Sequence, residues 1–358
     1  MSSIVIQGDT SGSITVEAPS VAGTHTLTLP KATGNIATDA TVGLGTKNLI
    51  INGDMRIAQR GTSVAGISSS NGYQTVDRFF MRLNGAGTFT MSQDTDAPSG
   101  FSNSLKWACT TADAPPAAGD FANIQHRIEG QNLQHLAFGT SSAKQVTVSF
   151  WVKSSETGTA VSRLINNSAS KAVSFAYTIN SANTWEKKTI TFPADTVNTI
   201  TNNNNIGFIL AWWLSVGTDR TSGTLQNTWQ PSTIIADEAV GQTINIAATT
   251  SSYINITGVQ LEIGDTATPF ENRMYSQELA MCQRYYEILG RIFGGISGVA
   301  GTQYVTYSFK ETKRTSPTVS TTGTIYSTVT SALPECVIIS RTNNTPDTDG
   351  IVSADAEL

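Results

Sequence analysis

The segment QVTVSFWVKSS, Gln145–Ser155, indicates the fold class of this chain. Its apolar and polar residues alternate, as they do in a strand with one buried face. One face would carry Val146, Val148, Phe150 and Val152. The opposite face would carry Thr147, Ser149, Trp151 and Lys153. The segment therefore predicts a β-strand that packs one face against a core and turns the other face outward.

The same alternation recurs between residues 47 and 275. In IGFILAWWLSV the inward set is Ile206, Phe208, Leu210, Trp212, Leu214 and Val216, and the opposite set is Ile209, Ala211 and Trp213. Turn-rich loops such as DTDAPSGFSNS and TADAPPAAGD separate the strands, and no helical periodicity intervenes. This pattern is typical of a sandwich or jelly roll. We predict a jelly-roll β-sandwich over residues 47–275.

The first 46 residues form an N-terminal segment with little core of its own. Two short alternating runs, Ile14–Val16 and Leu27–Leu29, are separated by Gly, Ser and Pro. They carry too few apolar residues to build a core alone. The segment is either a loose tail or a β stem that closes in an oligomer. We favour the stem, because a lone hairpin is marginal in water.

One helix is expected after the sandwich, at residues 276–290. Two adjacent apolar stripes run along it. One consists of Leu279, Cys282, Tyr286 and Leu289, and the other of Met281, Tyr285 and Ile288. Residues 291–358 predict a small C-terminal β domain whose acidic end, Asp355–Glu357, is a solvated strand tip. The predicted fold is mainly β, with one short amphipathic helix linking two β domains.

Composition excludes several function classes. Only 14% of the 358 residues are charged, and the net charge is −5. The longest basic stretch, KETKRT at Lys310–Thr315, contains an acid, so nucleic acid is not an expected partner. No apolar run is long enough for membrane insertion, and MSSIVIQGDTSGS does not resemble a signal peptide. These features predict synthesis in a cytoplasm.

No cofactor is predicted. The three histidines and three cysteines lack the spacings of metal sites. Asp54 and Glu262 fall near the first and last strands of the predicted sandwich. Those two ends often lie side by side in jelly rolls, where a structural calcium ion could bind carboxylate oxygens. Both are better explained as ordinary turn or edge residues.

No catalytic residue is assigned either. The chain has no Gly-x-Ser-x-Gly elbow, and GLGTK at Gly43–Lys47 lacks the other features of a phosphate-binding loop. A glycosidase would need two carboxylates held across a cleft, and no pattern points to such a pair. We predict that the protein is not an enzyme.

Three tryptophans are candidates for glycan binding. Trp151 and Trp213 lie opposite the apolar sets of their strands, and Trp229 lies in the polar loop QNTWQ. The alternative is packing, either under a loop or at a subunit interface, and it is the one we prefer. Trp107, Trp185 and Trp212 are expected in the core.

Several stretches resemble a known family. NLIINGDMRIAQRGTS at Asn48–Ser63, followed by DRFF, resembles the opening of a jelly-roll module of bacteriophage tail fibres. VTVSFWVKSS and ITGVQLEIGDTATPFENRMYSQELAMCQRYY are similar to its middle and end, and to sandwiches of the carbohydrate-binding-module type. GSITVEAPSVAGTHTLTLPKATGNIAT and SADAEL also resemble segments of phage tail proteins. The block from Ile256 to Tyr286 is the most specific of these.

The resemblance implies a homotrimeric virion protein of a phage tail, assembled in the host cytoplasm. It would attach to other tail proteins through its N-terminal segment and contact host-surface glycan or protein at its C-terminal end. Met281, Tyr285 and Ile288 would then face the threefold axis. The alternatives are a virion-associated polysaccharide depolymerase, a capsid decoration fibre and a free carbohydrate-binding module.

Overall fold

The computed structural model describes residues 3–7, 13–17, 47–69, 71–291, 302–322, 327–341 and 351–358. Strands dominate them. The first ten, in chain order, are β1 (Ser3–Gln7), β2 (Ser13–Glu17), β3 (Ser63–Ile67), β4 (Gly72–Tyr73), β5 (Phe79–Asn84), β6 (Thr88–Asp94), β7 (Ser104–Thr111), β8 (Phe121–Glu129), β9 (Val146–Ser154) and β10 (Gly158–Asn166). The others are β11 (Lys171–Ile179), β12 (Glu186–Phe192), β13 (Ile206–Val216), β14 (Gln230–Pro231), β15 (Tyr253–Ile263), β16 (Tyr286–Arg291), β17 (Gln303–Ser308), β18 (Thr318–Thr322), β19 (Ser327–Ala332), β20 (Cys336–Arg341) and β21 (Ile351–Asp355).

Helices are few in the described part of the chain. The α-helix, α1, spans Tyr275–Gln283. Short 3-10 helices lie at Gly130–Leu136, Asn167–Ala169, Thr218–Arg220 and Ile235–Asp237. None of the described helices is long and apolar enough to cross a membrane.

The chain divides into two units, Met1–Leu44 and Gly45–Leu358. In the first, β1 pairs antiparallel with β2, and Ile4 lies opposite Val16. The alternating run Ile14–Val16 therefore lies in a strand. The run Leu27–Leu29 lies outside the described residues, and the stem remains a prediction.

The larger unit contains a β-sandwich. One sheet has the strand order β12-β9-β15-β7-β6-β3, and the other has the order β14-β11-β10-β13-β8-β5-β4. The inner faces of both sheets form a single apolar cluster, to which β9 contributes Val148 and Phe150 and β13 contributes Leu210 and Trp212. Each large apolar side chain buried there contributes about 1.5–3 kcal/mol. The predicted mainly β sandwich is confirmed.

A network of hydrogen bonds joins the start of the sandwich to the segment that follows β15. We call it the polar knot, and it consists of Asn48, Asn52, Glu271, Arg273 and Glu278. The Asn48 side chain accepts from the amides of Ile50 and Leu261, each at 3.0 Å. Arg273 donates to the Ile50 carbonyl at 2.9 Å, and the Asn52 amide donates to Glu278. Buried polar contacts therefore join the two stretches that resemble the phage module, Asn48–Ser63 and Ile256–Tyr286.

The predicted length of the helix is wrong. α1 ends at Gln283, and Tyr286–Arg291 forms β16, which pairs with β21 at the end of the chain. Tyr285 is buried, and its hydroxyl donates to Glu129 at 2.6 Å. Ile288 lies in a strand opposite Ser353, and Met281 packs against the cluster of Ile51, Ile57, Cys282 and Tyr285. These three side chains do not form a helical stripe, because pairing with a distant strand ends the helix early.

Two small C-terminal sheets follow, as the fold class predicted. Their orders are β16-β21-β18 and β17-β20-β19. The expectation of a solvated acidic tip is wrong for Glu357, whose side chain is buried and forms an ion pair with Arg78, although the Asp355 side chain is 44% exposed. Arg127 and Arg314 donate to the carbonyls of Leu358 and Glu357, at 2.5 and 2.9 Å. The chain end is therefore fastened to the sandwich.

Candidate functional site

The outer face of the six-stranded sheet carries partly exposed rings among charged groups. We call Trp151, Lys153, Trp185, Tyr253, Lys106, Asp94 and Asp96 the aromatic face. In β9 the even-numbered residues Val148, Phe150 and Val152 point into the core. Because side chains alternate along a strand, Trp151 and Lys153 lie on the outer face. Lys153 lies opposite Asn255 of β15, and Asn255 lies opposite Lys106 of β7. One row across three strands thus has an ammonium group on each side of a buried amide.

Asp96 links the sheet to the loop between β6 and β7. Its carboxylate accepts from the Trp185 indole at 3.0 Å and from the Lys153 ammonium at 2.7 Å. The hydrogen bond from Lys153 holds the pKa of Asp96 below its ordinary value, with a further contribution from Trp185. The hydrogen bond to Asp96 in turn raises the pKa of Lys153. Both groups therefore stay charged around neutral pH, and they fix the edge of the Trp185 ring.

Tyr253 forms the second part of the face. The Lys106 ammonium lies 5.0 Å from the centroid of the Tyr253 ring and 3.1 Å from an oxygen of Asp94. The Tyr253 hydroxyl donates to Asn183 at 2.6 Å. The ring is thus held between a cation and an amide while part of its surface stays exposed.

Trp151 is the third aromatic residue of the face, and it lies near Phe101 in the loop before β7. Gly258 has a φ of +60°, and a Cβ there would lie 2.6 Å from the Phe101 ring and 3.0 Å from the Trp151 ring. A glycine is therefore required for both rings to pack over this bulge in β15. The Trp151 ring is left half-buried on the outer face.

This arrangement suits a polar ligand with apolar patches. Aromatic rings supply flat contact area at low conformational entropy cost, and fixed carboxylate, ammonium and amide groups orient hydroxyls by hydrogen bonds. A pyranose ring has both kinds of surface.

Of the three predicted glycan-binding tryptophans, the structure places only Trp151 on this face. Trp213 is 2% exposed and packs with Phe121, Val161 and Ala239 under the segment that follows β13. Trp229 donates to the Pro193 carbonyl at 2.9 Å and stacks on Phe208. Trp213 is therefore a packing residue, the alternative preferred from the sequence, whereas Trp229 packs against the core and stays half-buried.

Trp185 was expected in the core, and this is wrong. A pattern in the sequence points to its true position. In TWEKKTITF, Ile190 and Phe192 lie inward, so that the odd-numbered residues lie outward. The same parity places Trp185 on the outer side, beside Lys187 and Thr189.

A metal centre at Asp54 and Glu262 would require several ligands close together. Within the described residues, no group of three or more His, Cys, Asp or Glu side chains could hold a metal ion. The Glu262 carboxylate accepts from Gln260 and from the amide and hydroxyl of Thr268. Asp54 forms an ion pair with Arg56. The two carboxylates thus have partners within the chain.

Comparison with known proteins finds similar structures only. No protein-family model matches the chain, and no curated protein matches it. The enzymatically active domain of tailspike protein 4 of bacteriophage CBA120 is similar at a TM-score of 0.32 and 14% identity. That match covers 61% of this chain and 21% of the solved chain of that domain, so it spans about a fifth of that domain's length.

Carbohydrate-binding modules are also similar. A family 11 module of a Clostridium thermocellum cellulosomal cellulase matches at a TM-score of 0.28 and 11% identity, over 63% of this chain and 99% of the module. A family 4 module matches at 0.30 and 13%, over 60% of this chain and 99% of the module. At these identities and scores the likenesses do not assign the chain to a family.

Proposed function

We propose that this chain is a virion protein of a tailed phage that binds host-surface glycan through the aromatic face and works as a homotrimer. The observation that carries the glycan proposal is the aromatic face itself. Trp151, Trp185 and Tyr253 are each half-buried on this face, and hydrogen bonds hold Trp185 to Asp96 and Tyr253 to Asn183. The assignment to a phage tail rests on the motifs of Asn48–Ser63 and Ile256–Tyr286.

The trimer proposal now rests on the C-terminal sheets, since Tyr285 is buried within its own chain. Within the described residues, the buried members of their apolar cluster are Val337, Ile339 and Val352, and Ala354 of β21 is buried as well. Tyr304 and Ile351 on these sheets are 63% and 45% exposed. Small sheets with so little core are marginal alone, and copies of the chain would cover the exposed side chains.

Glycan binding is tested by changing the rings of the aromatic face. The full-length protein is applied to an array of purified bacterial surface polysaccharides, and the affinity for those that bind is measured. We expect Trp185→Ala and Trp151→Ala each to weaken binding about tenfold or more, or about 1.4 kcal/mol, because buried aromatic anchors dominate recognition. Thr189→Ala, an exposed position on the same face, is the matched control.

The outcomes separate the alternatives. Unchanged affinity in both tryptophan variants, with unfolding curves like that of the wild type, would exclude this face as the site. Release of reducing ends from a bound polysaccharide would instead favour the depolymerase.

The oligomeric state is tested by light scattering. We expect a mass three times the 38.0 kDa of one chain for the wild type. Tyr304→Lys and Ile351→Lys should lower the mass, because an ammonium group replaces apolar surface at the proposed interface. Val197→Lys, at a 79% exposed position on the sandwich, should leave the mass unchanged. A wild-type monomer would reject the trimer.

A further inference from the structure

The charged groups of the aromatic face form two ion pairs. The Lys153 ammonium lies 2.7 Å from an Asp96 oxygen, and the Lys106 ammonium lies 3.1 Å from an Asp94 oxygen. A ligand can reach both pairs, since the Asp96 side chain is 42% exposed and the Lys106 side chain is 33% exposed. The face therefore presents its charges to a ligand in balanced pairs.

Without the aspartates, the two lysines would form a cationic row. Lys106 and Lys153 lie on either side of Asn255, two strands apart on the same face. Neighbouring strands are about 4.8 Å apart, so the two positions are separated by about 10 Å. Asp94 at the end of β6 and Asp96 in the loop after it each neutralise one of the two ammonium groups. The chain itself thus supplies the counter-charge for both lysines.

The residues that flank the face add one charge of each sign. Lys187 of β12 is exposed and lies opposite Trp151. Because β12 is the edge strand of its sheet, an exposed lysine there is explained by protection of the edge against pairing with other chains. Glu156 follows β9 and accepts from the hydroxyl of Ser252, the residue before Tyr253, at 2.7 Å. The flanking charges are therefore balanced as well.

A ligand carboxylate gains little from paired charges. An anion that approaches the Lys153 ammonium also approaches the Asp96 carboxylate beside it, so repulsion offsets most of the attraction. The anion must also give up part of its hydration on binding, which costs free energy that an unpaired cation would have offset. Electrostatics therefore disfavour an acidic sugar on this face.

The hydroxyl groups of a sugar suit the same ion pairs better, because a hydroxyl both donates and accepts hydrogen bonds. An ammonium group has three donors, and a carboxylate has about four acceptor positions. The hydrogen bonds that Asp96 accepts from Lys153 and Trp185 use only some of them. The remaining donors and acceptors are available to neutral groups, which bring no charge that needs compensation.

We propose that the ligand of the aromatic face is a neutral polysaccharide, one whose sugars carry no carboxylate or phosphate groups. This inference rests on the glycan binding proposed above and narrows it to one chemical class. The rings of Trp151, Trp185 and Tyr253 contact the apolar faces of the sugars, and the two ion pairs bind their hydroxyl groups.

The test compares acidic polysaccharides with their neutral derivatives, using the full-length protein. Each uronic-acid polysaccharide of the bacterial array is also prepared in carboxyl-reduced form, in which a primary alcohol replaces the carboxylate. We expect binding that depends on Trp185 only with neutral polysaccharides, native or carboxyl-reduced. The affinity should change less than about twofold when NaCl is raised from about 50 to about 500 mM, because salt screens interactions between charges and a neutral ligand has none.

Asp96→Asn should change the selectivity of the face. The new amide keeps an oxygen that can accept from the Trp185 indole, but the Lys153 ammonium loses its counter-charge. We expect acidic polysaccharides to bind this variant about fivefold or more tightly than the wild type at low salt, and the gain to disappear at high salt. Asp219→Asn, the control, makes the same change in net charge at an exposed position after β13 and should produce no gain.

Three results would overturn the proposal. The first is an acidic polysaccharide that binds the wild-type protein but not the Trp185→Ala protein, and that loses its affinity on carboxyl reduction. The second is an Asp96→Asn protein that still binds neutral polysaccharides but gains no affinity for acidic ones. The third is the absence of any bound polysaccharide, which would reject glycan binding itself, whereas the first two leave that function intact.

Discussion

Replacing Asn52 by alanine is expected to lower the free energy of unfolding by about 3–5 kcal/mol, since it leaves several buried backbone groups unpaired at about 1–3 kcal/mol each. The Asn52 side chain donates to the carbonyls of Ile57 at 2.8 Å and Asp77 at 3.0 Å, and accepts from the Ile57 amide at 2.9 Å. Asn52 is fully buried and has a φ of +61°. A loss of this size is a large part of the 5–15 kcal/mol that stabilises a typical domain.

Two further variants separate the causes of the loss. Asn52→Gly removes the same hydrogen bonds but tolerates positive φ, so it should be less destabilising than Asn52→Ala by about 1 kcal/mol. Asn183 has a φ of +58° at an exposed position, and Asn183→Ala should cost only about 1 kcal/mol. Guanidinium chloride unfolding at fixed protein concentration measures all three. Equal losses at Asn52 and Asn183 would show that the hydrogen bonds of the Asn52 side chain do not stabilise the fold.

Replacing Arg78 by methionine is expected to cost about 3–5 kcal/mol, because it leaves the buried Glu357 carboxylate without its main partner. Arg78 is fully buried, ion-paired with Glu357, and donates to the Arg127 carbonyl at 2.7 Å. Its guanidinium also lies 3.4 Å from the centroid of the Tyr285 ring. The substitution therefore removes one of the contacts that hold the chain end to the sandwich.

A double-mutant cycle isolates the ion pair. Arg78→Met with Glu357→Leu should cost less than the two single changes together, because no buried charge is left unpaired. Arg78 has a φ of +72°, but methionine and arginine are equally strained there, so the comparison is not affected. Additive losses in the cycle, or a loss below about 1 kcal/mol for Arg78→Met, would contradict the expected role of the pair.

The C-terminal residues show where sequence patterns were insufficient. An acidic strand end is usually solvated, yet Glu357 is buried because Arg78, more than 270 residues earlier in the chain, lies beside it. The helix was predicted too long for a related reason. Leu289 and Ile288 keep helical spacing with earlier residues, but both lie in β16, whose pairing with β21 makes the strand more favourable.

The sequence by itself determined the fold class and the inward faces of the central strands, because side chains alternate with a period of two wherever a strand has one buried side. It also determined that Trp151 and Trp213 point away from the core. Tertiary structure alone decided what covers each outward face. The segment after β13 packs over Trp213, whereas Trp151 keeps an open side, and only the fold brings Asp96 to Trp185 and Lys153. The physical reason is that periodicity reports the local direction of a side chain, while exposure and partners depend on segments distant in the chain.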